Sequence, residues 1–180
     1  DGAILRLDAN TKVTLTQVTK DRVQISQESG QTYTRLLKLA GITEYDVATA
    51  DVTASVRGTG FKVSIVDDTT EVAVSEGEVE VATRREGRVL ARKMVRKAEH
   101  AMMRKDRMDA IETAAMARDT FMDENVADDD LFIDRMVGRF AVKHPRVVAA
   151  LKDAGYTDEK MHDWMRDLAT GNMTREEMKV

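Results

Sequence analysis

The sequence contains no cysteine, a single proline and only three histidines. Without cysteine, the chain forms no disulfide, no thiolate zinc site and no thiol nucleophile. The absence of cysteine is compatible with either an oxidising or a reducing compartment. No apolar run reaches the roughly 18–20 residues of a membrane-spanning helix, and no signal-type N-terminus is present. The net charge of −4 argues against a general nucleic-acid-binding protein. The 180 residues, 42% of them hydrophobic, fit a water-soluble globular protein of one large or two small domains.

The composition changes near residue 84. Residues 1–83 carry 8 basic and 13 acidic side chains, a net charge of −5, whereas residues 84–180 carry 20 and 19, a net charge of +1. β-branched residues are concentrated in the first part, and alanine, methionine and arginine in the second. These are strand and helix preferences, respectively. The sequence therefore predicts an α+β fold in segregated halves, with an all-β domain over 1–83 and an all-α domain over 84–180.

Apolar residues alternate with polar ones through the first part, as in Val13 and Leu15 or Val23 and Ile25. A period of two is typical of half-buried strands. The predicted strands are 3–7, 11–18, 21–27, 31–38, 44–49, 52–57, 60–66, 70–75 and 78–83. Residues 36–40 could instead form a helical turn. Short strands at this spacing indicate a sandwich, barrel or solenoid rather than a parallel sheet with crossover helices.

Helical spacing and capping signals lead to five predicted helices in the second part. They cover residues 88–108, 109–123, about 130–143, 145–154 and 158–169. Asp128–Asp130 would cap the third helix, which ends before Pro145, while Gly155 and Gly171 would end the fourth and fifth. Thr174 and Glu177 fit a capping box for a last turn.

No residue pattern predicts catalysis, a metal site or a cofactor. His100, His144 and His162 lack the spacing of metal ligands or of a catalytic pair, and His100 and His162 are expected to face solvent on helices. Asp123–Asp134 resembles a calcium loop only partly, because Ala127 and Asp128 occupy its fifth and sixth positions, and the sixth requires glycine. The 11 methionines fit core packing, with a protein-binding groove or a copper(I) surface as alternatives.

The segment Arg84–Arg107 holds ten basic and three acidic residues. These charges could neutralise neighbouring acidic helices. Alternatively, they could form a partner surface for an acidic protein, nucleic acid or anionic lipid. The candidate residues of this surface are Arg84, Arg85, Arg88, Arg92, Lys93, Arg96 and Lys97.

A motif around residues 45–79 resembles the signature of the FecR domain. Tyr45–Thr49 matches an aromatic-x-Val-x-Thr strand, and Val56–Val63 reads Val-Arg-Gly-Thr-Gly-Phe-Lys-Val, matching Val-x-Gly-Thr-x-Phe-x-Val. Val72–Val79 matches the closing pattern Val-x-Val-x-x-Gly-x-Val. Upstream, Asp1–Thr11 and Ser29–Tyr33 resemble the family's first strand pair and its following turn. The resemblance covers residues 1–83.

FecR domains occur in the extracytoplasmic part of membrane-spanning sigma-factor regulators and in other envelope proteins. The resemblance therefore implies a twisted, solenoid-like or sandwich-like all-β domain without catalytic residues or cofactor, on the periplasmic or extracellular side of a bacterial envelope. It also implies a structural role for seven signature residues: Val56, Arg57, Gly58, Thr59, Phe61, Val63 and Gly77. The expected partner is another envelope protein, with membrane contact only through a segment outside this chain.

We therefore expect a non-enzymatic protein-interaction module that acts as a scaffold or signal relay. One alternative is a sigma-factor regulator that receives a signal from an outer-membrane transporter. Another is polyanion binding through a basic helix over 84–107. The chain begins inside the family's domain, which leaves open whether a first strand, a membrane helix and an anti-sigma segment precede it. The second part resembles no family that we recognise.

Overall fold

The computed structural model describes residues 2–38, 41–56 and 58–173, and these form eleven strands followed by three helices. The strands are β1 (Ala3–Leu7), β2 (Lys12–Val18), β3 (Arg22–Leu36), β4 (Glu44–Ala48), β5 (Val52–Val56), β6 (Gly60–Val66), β7 (Thr69–Glu76), β8 (Glu78–Arg85), β9 (Arg88–Arg96), β10 (Glu99–Arg104) and β11 (Glu112–Ala115). The helices are α1 (Thr120–Lys143), α2 (Pro145–Asp153) and α3 (Asp158–Thr170).

Strand β3 organises the sheet. Its N-terminal part lies between β2 and the parallel strand β4, and its C-terminal part lies between the antiparallel strands β1 and β6. From β3 the sheet continues in two directions, through β4-β5-β8-β9 and through β6-β7-β10-β11. The turn expected at Ser29-Gly30 is a change of direction within one continuous strand. Gly30 has a φ of +80°, a conformation that a residue with a Cβ rarely adopts.

The two halves of the sheet enclose one hydrophobic core. One half contributes Phe61, Val63 and Val72, and the other contributes Val47 and Val81. The rings of Phe61 and Tyr45 meet edge to face with centroids 6.4 Å apart, a favourable geometry for aromatic pairs. The period of two in the sequence places these side chains inward, so that burial of the core selects the register.

The helices form a second layer with its own core. Leu151, Met161 and Met165 pack there against α1 and against Leu37, which follows β3. The expected end of the fifth predicted helix is confirmed, because α3 ends at Gly171 in the left-handed conformation. At the start of α3, the Thr157 side chain accepts a hydrogen bond from the Lys160 N–H. Gly155 follows α2 with a φ of +85°.

The expected fold class is confirmed, with a mostly β N-terminal part and C-terminal helices, but the helices begin later than expected. The predictions of helices over 88–108 and 109–123 are wrong, because β9, β10 and β11 occupy most of this region. The apolar residues Val95, Ala101 and Met103 are buried with strand spacing. Pairing of β9 with β8 in a hairpin, and of β10 with the more distant β7, outweighs the helix propensity of alanine, methionine and arginine. The division into two domains stays a prediction, and β8 crosses the expected boundary at residue 83.

Two further details differ from expectation. Helix α1 begins ten residues earlier than predicted, because Asp119 rather than Asp128–Asp130 caps it by accepting from the Met122 N–H at 2.8 Å. His100 lies on β10 and is mostly buried beside Glu71, so its expected position on an exposed helix is also wrong. The capping box of Thr174 and Glu177 lies outside the described residues, as does part of the turn over 36–40.

Candidate interaction surfaces

Five signature residues, Val56, Gly58, Thr59, Phe61 and Val63, lie at or next to the corner between β5 and β6 and are buried. Thr59 is fully buried; its backbone carbonyl accepts from the Leu36 N–H at 2.9 Å, and its hydroxyl donates to the Glu78 carbonyl at 3.1 Å. This one residue therefore ties the corner to both β3 and β8. Phe61 and Val63 fill the core immediately after it.

Gly77 closes the same corner from the β7–β8 turn. Its φ is +78°, and a Cβ at this position would lie 3.2 Å from the Gly58 carbonyl oxygen. The structure therefore places Gly58, Thr59 and Gly77 together, whereas Arg57 lies outside the described residues. This packing is consistent with a structural role of the signature, which stays a prediction.

A buried charged cluster joins α1 to the sheet. Asp129 of α1 accepts hydrogen bonds from the Arg6 guanidinium at 2.7 Å and the Tyr33 hydroxyl at 2.5 Å. Arg35 lies 3.9 Å from the same carboxylate and pairs with Glu76 at 2.7 Å. Burial and the hydrogen bond to Asp129 raise the pKa of Tyr33. The hydroxyl therefore stays protonated and donates to the carboxylate.

A second charged cluster lies at the start of α1. Lys62 of β6 is buried and pairs with Asp119 and, at 3.1 Å, with Glu71, which also contacts His100 at 2.6 Å. Burial opposes the charge of Lys62, but Asp119 and Glu71 outweigh it and raise its pKa. Burial likewise opposes the charges of the two acids. Hydrogen bonds from His100 and Lys62 nevertheless hold the pKa of Glu71 below its usual range, and those from Lys62 and the Met122 N–H do the same for Asp119.

Sequence reasoning missed the Asp129 cluster, although the sequence contains a signal for it. The buried residues of α1 are Met122, Asn125, Asp129, Ile133 and Val137, which follow one another at helical spacing. An aspartate within such an apolar stripe requires a buried partner. Because Asp129 lies between Asp128 and Asp130, the sequence pattern predicts a helix cap for all three instead.

The predicted basic partner surface lies on strands and turns. Arg84 and Arg85 end β8, Arg88, Arg92, Lys93 and Arg96 belong to β9, and Lys97 follows it. All seven are exposed. Arg92 pairs with Glu80 at 3.1 Å. These residues occupy a hairpin and a turn, so residues 84–107, all of which the structure describes, contain no basic helix through which a polyanion could bind.

The outer face of the β4-β5-β8-β9 half carries acidic side chains along an open groove of about 1060 Å³. Three of its carboxylates are engaged within the sheet: Glu44 pairs with Arg22, Asp46 accepts from Ser55 at 2.6 Å, and Glu80 pairs with Arg92 at 3.1 Å. Such cross-strand pairs are typical of a solvated sheet face. Within the described residues, no three histidine, aspartate or glutamate side chains are placed to hold a metal ion.

The family model described as FecR protein matches residues 1–80. The expected resemblance to the FecR family is confirmed. The match includes the signature corner and ends inside β8, so that β9, β10 and β11 extend the sheet beyond the residues that match FecR.

Two crystal structures of a Parabacteroides distasonis protein, described as a "putative anti-sigma factor", are similar to the chain. Each is 22% identical, covers 64% of this chain and has a TM-score of 0.52. At this identity the likeness shows the fold alone. The chain spans about half of those structures, 52% of their length. No curated protein matches the chain. None of the helices in the described ranges has the length and hydropathy that a bilayer crossing requires.

Proposed function

We propose that the chain is a non-enzymatic, extracytoplasmic interaction module of a bacterial signal-relay protein. The match of residues 1–80 to the FecR family supports this role. The observation that carries it is the direct attachment of α1 to strands within the matched residues. Arg6 and Lys62 hold Asp129 and Asp119 by largely buried ion pairs.

This attachment provides a physical path for a relay. Ion pairs in a low-dielectric interior depend steeply on geometry, because misplaced partners lose their attraction while the cost of desolvation remains. A small displacement of β1 or β6 by a bound partner would therefore weaken the contact of α1. The helical layer would respond to events at the FecR-matching strands through that contact.

Two versions of this role remain as proposals, and the first is favoured. In one, the chain belongs to a sigma-factor regulator that receives a signal from an outer-membrane transporter; the description of the similar crystal structures as anti-sigma factor candidates supports it. In the other, it is a scaffold of an envelope assembly. A regulator changes transcription when its relay is broken, whereas a scaffold changes envelope integrity.

The test uses the complete gene in its own bacterium, with Asp129→Ala as the perturbing variant and Asp128→Ala as the control. Both positions lie on α1, but Asp129 is buried and Asp128 is exposed. We expect Asp129→Ala to alter a defined set of transcripts while Asp128→Ala does not. Altered detergent sensitivity without a transcript change would favour the scaffold. A variant that is made at normal levels and changes neither property would contradict the relay.

Binding experiments require the whole chain. A cut between residues 83 and 84 falls inside β8, and it would separate β9, β10 and β11 from the strands with which they pair. Each fragment would then expose core residues such as Val81 or Val95. Partner capture by separate halves would therefore report on unfolded material.

A further inference from the structure

The β8–β9 hairpin extends past its neighbour in the sheet. Strand β5 pairs with β8 only as far as Thr83. Beyond that point, the register pairs Arg84 with Val89 and Arg85 with Arg88. The two turn residues, Glu86 and Gly87, have φ values of 52° and 77°. Positive φ at both positions is the preferred geometry of a two-residue hairpin loop. We call residues 84–90 the hairpin tip.

The arginines of the hairpin tip differ from most others in the chain. Arg6, Arg22, Arg35, Arg92 and Arg166 each have an acidic partner. In the described part of the chain, none of the three tip arginines, Arg84, Arg85 and Arg88, is in an ion pair. Their one described side-chain hydrogen bond to the protein runs from Arg85 to the Lys105 carbonyl, at 3.1 Å.

One pair at the hairpin tip opposes folding. Arg85 and Arg88 are directly opposite in the register, and like charges at such positions destabilise a hairpin. The fold gains nothing from this pairing, and an anionic group bound between the two side chains would relieve the repulsion. Val89 and Leu90 beside them are 37% and 44% exposed, which adds apolar area to the cationic surface.

We propose that the hairpin tip binds an acidic segment of a partner protein. Arginine together with exposed apolar side chains is typical of protein interfaces. Nucleic acid and anionic bilayers are less suitable ligands, because they carry many phosphates and the chain as a whole has a net charge of −4. The inference rests on the proposed function and adds to it the site and the chemistry of the partner.

The test places a photo-crosslinking amino acid at Val89 in the full-length protein in its own bacterium. Two other positions serve as references, Leu15 on β2 and Val142 on α1, which are 60% and 82% exposed. We expect Val89 to form an adduct with a protein, and the crosslinked peptide to be rich in aspartate or glutamate.

Charge reversal then tests the mechanism. The double variant Arg84→Glu/Arg85→Glu reverses two tip charges and places a carboxylate opposite Arg88. The favourable cross-strand pair gained there offsets the exposed hydrogen bond from Arg85 to the Lys105 carbonyl that is lost, so the hairpin should still fold. We expect the Val89 adduct to fall by about tenfold or more, because two charge contacts become repulsive. The matched control Arg135→Glu/Arg146→Glu reverses two exposed helical charges and should leave the adduct unchanged.

A compensating change completes the test: lysine in place of the acidic residues of the crosslinked peptide should restore the adduct with the reversed hairpin. A Val89 adduct with lipid, nucleic acid or a peptide without acidic residues would overturn the inference, as would an adduct that survives Arg84→Glu/Arg85→Glu. If protein adducts form only at Leu15 or Val142, the hairpin inference fails while the interaction module stands. If no position crosslinks to a protein, both proposals fail.

Discussion

Replacing Asp129 with alanine should release α1 from the sheet. The carboxylate is 8% exposed as a side chain, and it holds Arg6, which is 18% exposed, and Tyr33, which is fully buried. Without it, the hydroxyl of Tyr33 and the guanidinium of Arg35 lose their nearest anionic partner on α1. Only Glu76 then remains to balance the buried charge of Arg35.

The size of the effect follows from this burial. Removing one member of a buried ion pair costs about 3–5 kcal/mol, because the other charge stays desolvated without a partner. Arg6 is the most exposed member and regains water when the carboxylate is lost, so we expect a loss of about 3 kcal/mol. Asp128→Ala, one residue earlier on the same helix, should change the free energy of unfolding by less than about 0.5 kcal/mol.

Denaturant unfolding measures the global loss, and amide hydrogen exchange locates it. If the contact of α1 is weaker than the rest of the fold, the helices detach before the sheet unfolds, and the amides of α1 lose protection first. The reasoning is refuted if Asp129→Ala costs less than about 1 kcal/mol and also leaves the protection of α1 equal to that of Asp128→Ala.

Phe61→Ala should cost about 3–5 kcal/mol in denaturant unfolding, because the fully buried ring leaves a cavity in the core; a loss below about 1 kcal/mol would contradict its position. Gly77→Ala should destabilise more than Gly87→Ala by thermal unfolding. Both have left-handed φ values, but only at Gly77 does a Cβ meet backbone; equal losses would count against the corner contact. Stability should fall as the pH drops below about 4, because Asp119 then binds a proton in the unfolded chain while its lowered pKa keeps it ionised in the folded one. It should also fall as the pH rises above about 10.5, because Lys62 then loses a proton in the unfolded chain while its raised pKa keeps it charged in the folded one. Asparagine still caps a helix, so Asp119→Asn should reduce the loss of stability below about pH 4 without removing the cap. An unchanged dependence of the free energy of unfolding on pH would disprove this assignment.

The strands of the first part could be predicted from the sequence because their burial is one-sided. Alternation such as that of Val52, Ala54 and Val56, which are buried while Thr53 and Ser55 between them are not, is a local property, and a register slip of one residue would expose every core side chain. The expected strands 3–7 and 60–66 match β1 and β6 residue for residue. The two ends of α3 are equally predictable, since the cap at Thr157 and the left-handed Gly171 depend on adjacent residues alone.

The secondary structure of the basic segment after residue 84 could not be predicted in the same way. Residues such as Val95 and Met94 fit a helical stripe and a strand equally well, and local propensity favours the helix. The choice depends on the free edge of β8, which pairs with β9 through eight residues of register. It depends further on the pairing of β10 with β7, which joins residues as distant as Arg104 and Thr69 and is absent from any short window of sequence.

The sequence by itself determined the alternating strands, the corner glycines and the caps of the last helices, because each follows from the steric and hydrogen-bonding preferences of neighbouring residues. Only the tertiary structure decided that β9, β10 and β11 are strands and that Asp129 lies inside. Asp129 meets Arg6 and Tyr33 across 123 and 96 positions of the chain. A buried charge is stable only where such distant partners converge, and that convergence exists only in the folded chain.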